Sequence, residues 1–187
     1  MSHFGFDPWF RCLLKFPDHQ ASLAYAVGYA YYITKFLDLA DTLFFVLRKK
    51  SRNLSFLHIY HHSVMPFVAW AGLKYVPYPL AGWALGANCF VHVVMYTYYA
   101  MSAAGLQPSW KQWITVFQML HFVTIALHGI HIILFVAGPG CGYPILMAHA
   151  EVIIGATFFA MFAHFHVQNF VRPVLRKRHF MRLHDTV

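Results

Sequence analysis

Long apolar stretches interrupted by short polar ones organise this chain. Five stretches are long enough to be helices crossing a bilayer, whose core of about 30 Å needs about 20 apolar residues. They run over about 21–47, 54–76, 80–103, 113–137 and 145–171. Pro77 and Pro79 separate the second from the third, "GLQPSW" the third from the fourth, and "GPGCGYP" the fourth from the fifth. Such Gly/Pro clusters are turn chemistry. The pattern predicts an all-α, multi-span membrane protein with one domain over 21–171, a non-cytoplasmic tail over 1–20 and a basic cytoplasmic tail over 172–187. The first twenty residues lack the long apolar core and cleavage site of a signal peptide, so none is expected.

Composition sharpens this picture. Of 187 residues, 59% are hydrophobic and only 11% are charged, which disfavours an ordinary soluble domain. Lys and Arg total 14 against 6 Asp and Glu, yet they cluster in short loops rather than forming a nucleic-acid footprint. Arg48, Lys49, Lys50 and Arg52 follow the first stretch, Lys111 follows the third, and Arg172, Arg176, Lys177, Arg178 and Arg182 follow the fifth. Alternate loops are therefore basic, which places those loops and the C-terminus in the cytoplasm. Tyr75, Tyr78, Trp83, Trp110 and Trp113 fall near span ends, as an interfacial belt would. Cys12, Cys89 and Cys141 have no paired spacing, and predict neither a disulfide framework nor a zinc set.

Ionisable groups inside a bilayer are costly and mark functional sites by default. In the first span, "KFLDLADT" puts Lys35, Asp38 and Thr42 on one helical face with Asp41 beside them. In the second, His58, His61 and His62 share a face at i, i+3 and i+4. Three roles compete for them: metal ligands, structural bonds to neighbouring helices, or catalysis by a neutral imidazole. Catalysis is favoured because three histidines face a buried Lys/Asp cluster. In the third span Asn88, His92 and Tyr99 line one stripe, with Met95 and Tyr96 nearby and Tyr98 pointing elsewhere. In the fourth, Thr115, Gln118 and His121 follow at three-residue steps, then His128 and His131. The fifth adds Glu151, His164, His166 and Gln168. Together these faces predict one polar pocket open to the cytoplasm with an apolar floor, suited to an amphiphile. Two readings stand for the basic loop around Lys49, Lys50 and Arg52: a grip on a phosphorylated head group, or ordinary positive-inside charge.

Four motifs in order resemble those of the very-long-chain fatty acid elongases. "HIYHH" matches the HxxHH box, "KFLDLADT" the K-x-x-E-x-x-D-T box, "NCFVHVVMYTYY" the N-x-x-x-H-x-x-M-Y-x-Y-Y box and "TVFQMLH" the T-x-x-Q-x-x-Q box. The resemblance covers about residues 10–175. It implies a helical barrel around an acyl tunnel in the endoplasmic reticulum membrane, with no metal and no cofactor beyond the substrates acyl-CoA and malonyl-CoA. It implies that His61 attacks the thioester to form an acyl-imidazole, with His58, His62 and His92 beside it. Lys35, Asp38, Asp41, Thr42, Asn88, Tyr96, Tyr99, Gln118, His121, Lys49, Lys50 and Arg52 would bind substrate. Its partners would be membrane lipid, other elongases in homo- or hetero-oligomers, and the reductase and dehydratase of the elongation cycle.

Asp38 stands where the family has Glu, and His121 where it has the last Gln. The family has seven spans and five are legible here, the two without counterpart being N-terminal. An alternative is therefore a truncated, non-catalytic paralogue that associates with full-length elongases. A remoter one is a membrane di-iron desaturase or hydroxylase, which needs about eight histidines in several boxes; only one HxxHH box is present.

Overall fold

A computed structural model describes residues 18–49, 55–76, 82–106, 108–137 and 143–184; of residues 18–20, 41, 45, 83, 179, 180 and 182–184 it describes the backbone only. All regular structure among these residues is helical: α1 (Asp18–Leu47), α2 (Phe56–Tyr75), α3 (Gly82–Ala103), α4 (Lys111–His131), α5 (Ile145–His166) and α6 (Arg172–His184). Each of the five apolar stretches forms a helix, with ends shifted by a few residues. Ser55 caps α2, its hydroxyl accepting from the His58 N–H at 3.2 Å. Gly105 ends α3 with a left-handed φ of 84°, the conformation that glycine adopts without a Cβ penalty.

Two helices widen into a π turn. After α4, residues Ile132–Val136 do so, and the Ala137 N–H reaches the Ile132 carbonyl at 2.8 Å. After α5, residues Val167–Val171 do so, and the Arg172 N–H bonds the Val167 carbonyl. The second π turn explains why the basic tail is helical rather than irregular. Pro173 lacks an N–H and its ring presses on the carbonyl four residues back. A widened turn just before it accommodates both defects, and the helix resumes as α6.

Two stretches are long and apolar enough to cross a membrane: Lys111–Val136, with 26 residues, and Ile145–Arg178, with 34. The other three helices carry the polar residues described below in their interiors. Large apolar side chains face outward on many turns, including Leu37, Phe67, Phe90, Leu134 and Leu146.

The tightest packing joins α4 to α5, and glycine makes it possible. A Cβ on Gly155 would lie 2.9 Å from the Phe122 carbonyl oxygen, and one on Gly129 would lie 2.8 Å from that of Ala148. Small residues at a helix crossing let the backbones approach in this way. From there α5 packs on α2, α2 on α1, and α4 on α3. The remaining seam, between α1 and α3, is bridged by long polar side chains rather than by close packing.

Candidate active site

The polar face of α1 turns inward, as the spacing predicts. Lys35 and Asp38 are buried, at 3% and 6% exposure. Lys35 Nζ donates to Asp38 Oδ2 at 3.0 Å and to Asn88 Oδ1 of α3 at 2.9 Å. Tyr31, one turn earlier, donates its hydroxyl to the same Asn88 oxygen at 3.1 Å, and its ring lies 4.7 Å from the ammonium. Tyr96 OH donates to the other Asp38 oxygen at 2.9 Å. His92 Nδ1 stands 3.7 Å from that oxygen, an electrostatic contact longer than a hydrogen bond. A lysine, an aspartate, an asparagine and two tyrosines thus satisfy one another across the seam. A buried charge pair needs such supplementary hydrogen bonds to offset its desolvation.

The three histidines of α2 divide their work. His58 and His62 are one turn apart and their rings lie 4.2 Å from each other. His58 Nε2 meets Thr42 Oγ1 at 3.0 Å, and His62 Nδ1 meets the backbone carbonyl of Asp38 at 2.8 Å. Both tie α2 to α1. His62 is buried, and here the structural role left open by the sequence is realised. His61 turns the other way, toward α4 and α5. Its ring stands edge-on to Phe158 at 4.9 Å between centroids, with Phe162 at 6.2 Å and Phe122 at 6.3 Å. His61 nevertheless stays beside its neighbours, its ring edge-on to that of His62 at 5.3 Å between centroids. Helical steps of 100° put His61 and His62 on either side of His58 within one arc of about 100°, and the two edges of that arc meet different helices. His62 links His61 to the Asp38 network, since its ring touches that of His61 and its Nδ1 meets the Asp38 carbonyl.

Pro66 is buried inside α2. It cannot donate to the His62 carbonyl four residues earlier, so the backbone just after the histidines lacks one helical bond.

On α4, Gln118 is half-buried and reaches Met95 Sδ of α3 at 3.9 Å, while Thr115 and His121 are buried. Tyr99 is 41% exposed and stacks edge-on to Tyr96, so it flanks the network. Tyr98 packs on Trp110 instead, as expected. Lys49 is exposed in the turn after α1, with φ of 52°. Lys50, Arg52 and the side chain of Asp41 lie outside the described residues, as do Tyr78, the Trp83 side chain, Cys12 and Cys141. Among the described residues no group of three or more His, Cys, Asp or Glu side chains is placed to hold a metal ion.

The sequence missed Tyr31 and the aromatic wall around His61. Tyr31 was legible in principle, since it sits four residues before Lys35 on the same face. Phe122, Phe158 and Phe162 had no signal, because apolar residues in apolar helices look alike until the helices are packed. Away from this site, His128 Nδ1 meets Glu151 Oε2 at 3.0 Å, and the Tyr143 hydroxyl donates to Glu151 Oε1 at 3.3 Å.

Comparisons with known proteins agree with the motifs. The model of the ELO (GNS1/SUR4) family matches residues 8–178. Human very long chain fatty acid elongase 1 is 36% identical over 150 residues, covering 78% of this chain and 53% of the relative. Rat very long chain fatty acid elongase 7 is 36% identical over 171 residues, covering 88% and 60%. Human very long chain fatty acid elongase 4 is 33% identical over 160 residues, covering 83% and 49%. The chain spans about half the length of the curated relatives it matches. With the family match running from before α1 into α6, and relatives of this similarity along most of the chain, this protein belongs to the ELO family.

Proposed function

We propose that this chain condenses a long-chain acyl-CoA with malonyl-CoA to give a 3-oxoacyl-CoA two carbons longer, carbon dioxide and free CoA. The observation that carries the reading is the gathering of His92 and the Lys35–Asp38–Asn88–Tyr96 network, with His61 joined to it through His62. In the first half-reaction the neutral imidazole of His61 attacks the acyl thioester carbon. The C–S bond breaks, CoA leaves, and the imidazole proton goes with it, giving an acyl-imidazole. In the second, malonyl-CoA loses carbon dioxide, and the electron pair of the broken C–C bond forms an enolate. The enolate carbon attacks the acyl-imidazole, the C–N bond breaks, and His61 recovers a proton from solvent. Phe122, Phe158 and Phe162 beside His61 support this reading, since an apolar wall keeps water from an acyl-imidazole.

In the same reading α1 to α5 all cross the membrane, with the C-terminus cytoplasmic. Outward apolar side chains and the basic α6 favour that arrangement. The endoplasmic reticulum, and work beside the reductase and dehydratase of the elongation cycle, follow from the family resemblance. The test is incorporation of labelled malonyl-CoA by the purified chain and by a His61→Ala variant. The variant is expected to lose incorporation, and unchanged incorporation would overturn the assignment.

One observation favours a second reading, in which the chain acts only with another elongase. The seam between α1 and α3 is held by polar side chains and not by packed backbones. An extra helix at that seam would complete the wall. Activity that appears only on co-expression with a relative whose own HxxHH box is mutated would select this reading.

A further inference from the structure

His121 has 8% of its surface exposed, and its Nδ1 is sealed with no hydrogen-bond partner among the described residues. His128 Nε2 and His166 Nδ1 share that condition. His128, however, commits its other nitrogen to Glu151, and His166 lies at the far end of α5 against Phe170. His121 instead adjoins Phe122, the same ring that stands 6.3 Å from His61. It shares a face of α4 with Gln118, which reaches across to α3. Its backbone carbonyl accepts from Thr124 at 2.7 Å, and Phe122 packs against its ring at 5.3 Å between centroids.

A sealed N–H without an acceptor is costlier than a sealed lone pair, and orphaned buried donors are the rarer of the two. The proton of the neutral ring therefore belongs on Nε2. That leaves one N–H donor on a buried ring separated from His61 by the single ring of Phe122. The elongase motif has Gln at this position, and Gln also ends in an N–H donor.

We propose that the His121 Nε2–H donates to a substrate thioester carbonyl oxygen and stabilises the negative charge that oxygen gains as the reaction proceeds. This rests on the condensation reading above. Two oxygens have that chemistry: the acyl thioester oxygen when His61 adds to it, and the malonyl thioester oxygen when decarboxylation turns it into an enolate. A donor aimed at a developing oxyanion is worth about 10²–10³ in rate when removed.

The test uses the full chain in nanodiscs, as parent, His61→Ala, His121→Phe and His121→Gln. One arm measures CoA release from acyl-CoA alone. The other measures release of labelled carbon dioxide from malonyl-CoA. His121→Phe should slow carbon dioxide release about 10²–10³-fold, alone or together with CoA release, with substrate KM changed far less, and His121→Gln should recover most of the loss. Slowing of both arms identifies the acyl oxygen, because decarboxylation follows acylation, and slowing of carbon dioxide release alone identifies the malonyl oxygen. Both arms within about threefold of the parent in His121→Phe, while His61→Ala is dead, overturns the His121 role and leaves the condensation reading intact. No turnover in the parent counts against the condensation reading itself. In that case nitrogen-15 NMR of His121, with an acyl-CoA analogue carrying CH₂ in place of the thioester sulfur, decides the matter. The proposal requires the proton on Nε2 and a shift of that N–H on adding the analogue, and a proton on Nδ1 or an unmoved signal overturns it.

Discussion

Removing the Asp38 carboxylate tests the network most directly. In an Asp38→Leu variant the Lys35 ammonium, 3% exposed, keeps the Asn88 oxygen at 2.9 Å and the Tyr31 ring at 4.7 Å. Neither partner neutralises its charge. Breaking a buried pair by deleting one member costs about 3–5 kcal/mol. A surviving hydrogen bond to a charged group contributes about 1.5–3 kcal/mol, which places this variant at the low end, about 3 kcal/mol. That is about two decades in the folding equilibrium constant. Lys35→Met should cost a similar amount, since Asp38 would keep Tyr96 at 2.9 Å but lose its cation. The double variant removes both charges and leaves Asn88 bonded to Tyr31 at 3.1 Å. Apolar replacement of an entire buried pair is often neutral or stabilising, so the double variant should lie within about 1 kcal/mol of the parent. Equilibrium unfolding in mixed micelles, titrated with a denaturing detergent and followed by helical circular dichroism, measures all four proteins. The reasoning fails if the two single losses simply add, or if either single variant loses less than about 1 kcal/mol.

Two further outcomes follow from packing and from the second polar cluster. Gly155→Ala places a methyl 2.9 Å from the Phe122 carbonyl, so the same unfolding assay should show a loss of about 1–3 kcal/mol. Gly72→Ala, with nothing within 4 Å, should be neutral or stabilising by up to about 1 kcal/mol. Glu151→Leu should cost about 1–3 kcal/mol, because it strips the His128 ring of its partner and leaves the Tyr143 hydroxyl without this acceptor. Glu151→Gln, which keeps an acceptor, should recover more than half of that loss in thermal unfolding.

Much of this site was readable before the fold was known. Lys35 and Asp38 face inward together because a helix repeats every 3.6 residues, and Asn88 and His92 share a stripe for the same reason. Periodicity gives a face but not what that face meets. It grouped His61 with His58 and His62, whose rings do lie together, but gave neither the three phenylalanines that His61 meets nor the bonds to α1 that the other two make. It ranked Tyr99 with Asn88 and His92, yet Tyr96 makes the bond to Asp38. Tyr31 was hidden by company: α1 carries tyrosines at 25, 29, 31 and 32, and only the position of Lys35 singles one out. The π turn at 132–136 left no mark in the sequence, because a single widened turn changes neither composition nor apolarity, and only Pro173 hints at the one at 167–171.

Those π turns bear on how the chain tolerates insertion and deletion. Each holds one residue more than an α turn, and one residue rotates everything beyond it by about 100°. Losing a residue within 132–136 would return that turn to α geometry without rotating Gln118, His121 or His128, all of which precede it. Losing one within 123–127 would swing His128 away from Glu151 while Gln118 stayed in place. In α5 the widened turn likewise lies beyond Phe158 and Phe162, so a change of length there redirects α6 alone. Length variation between this chain and its relatives should therefore collect at these two turns, and the helical segments that carry the histidines should keep a fixed count.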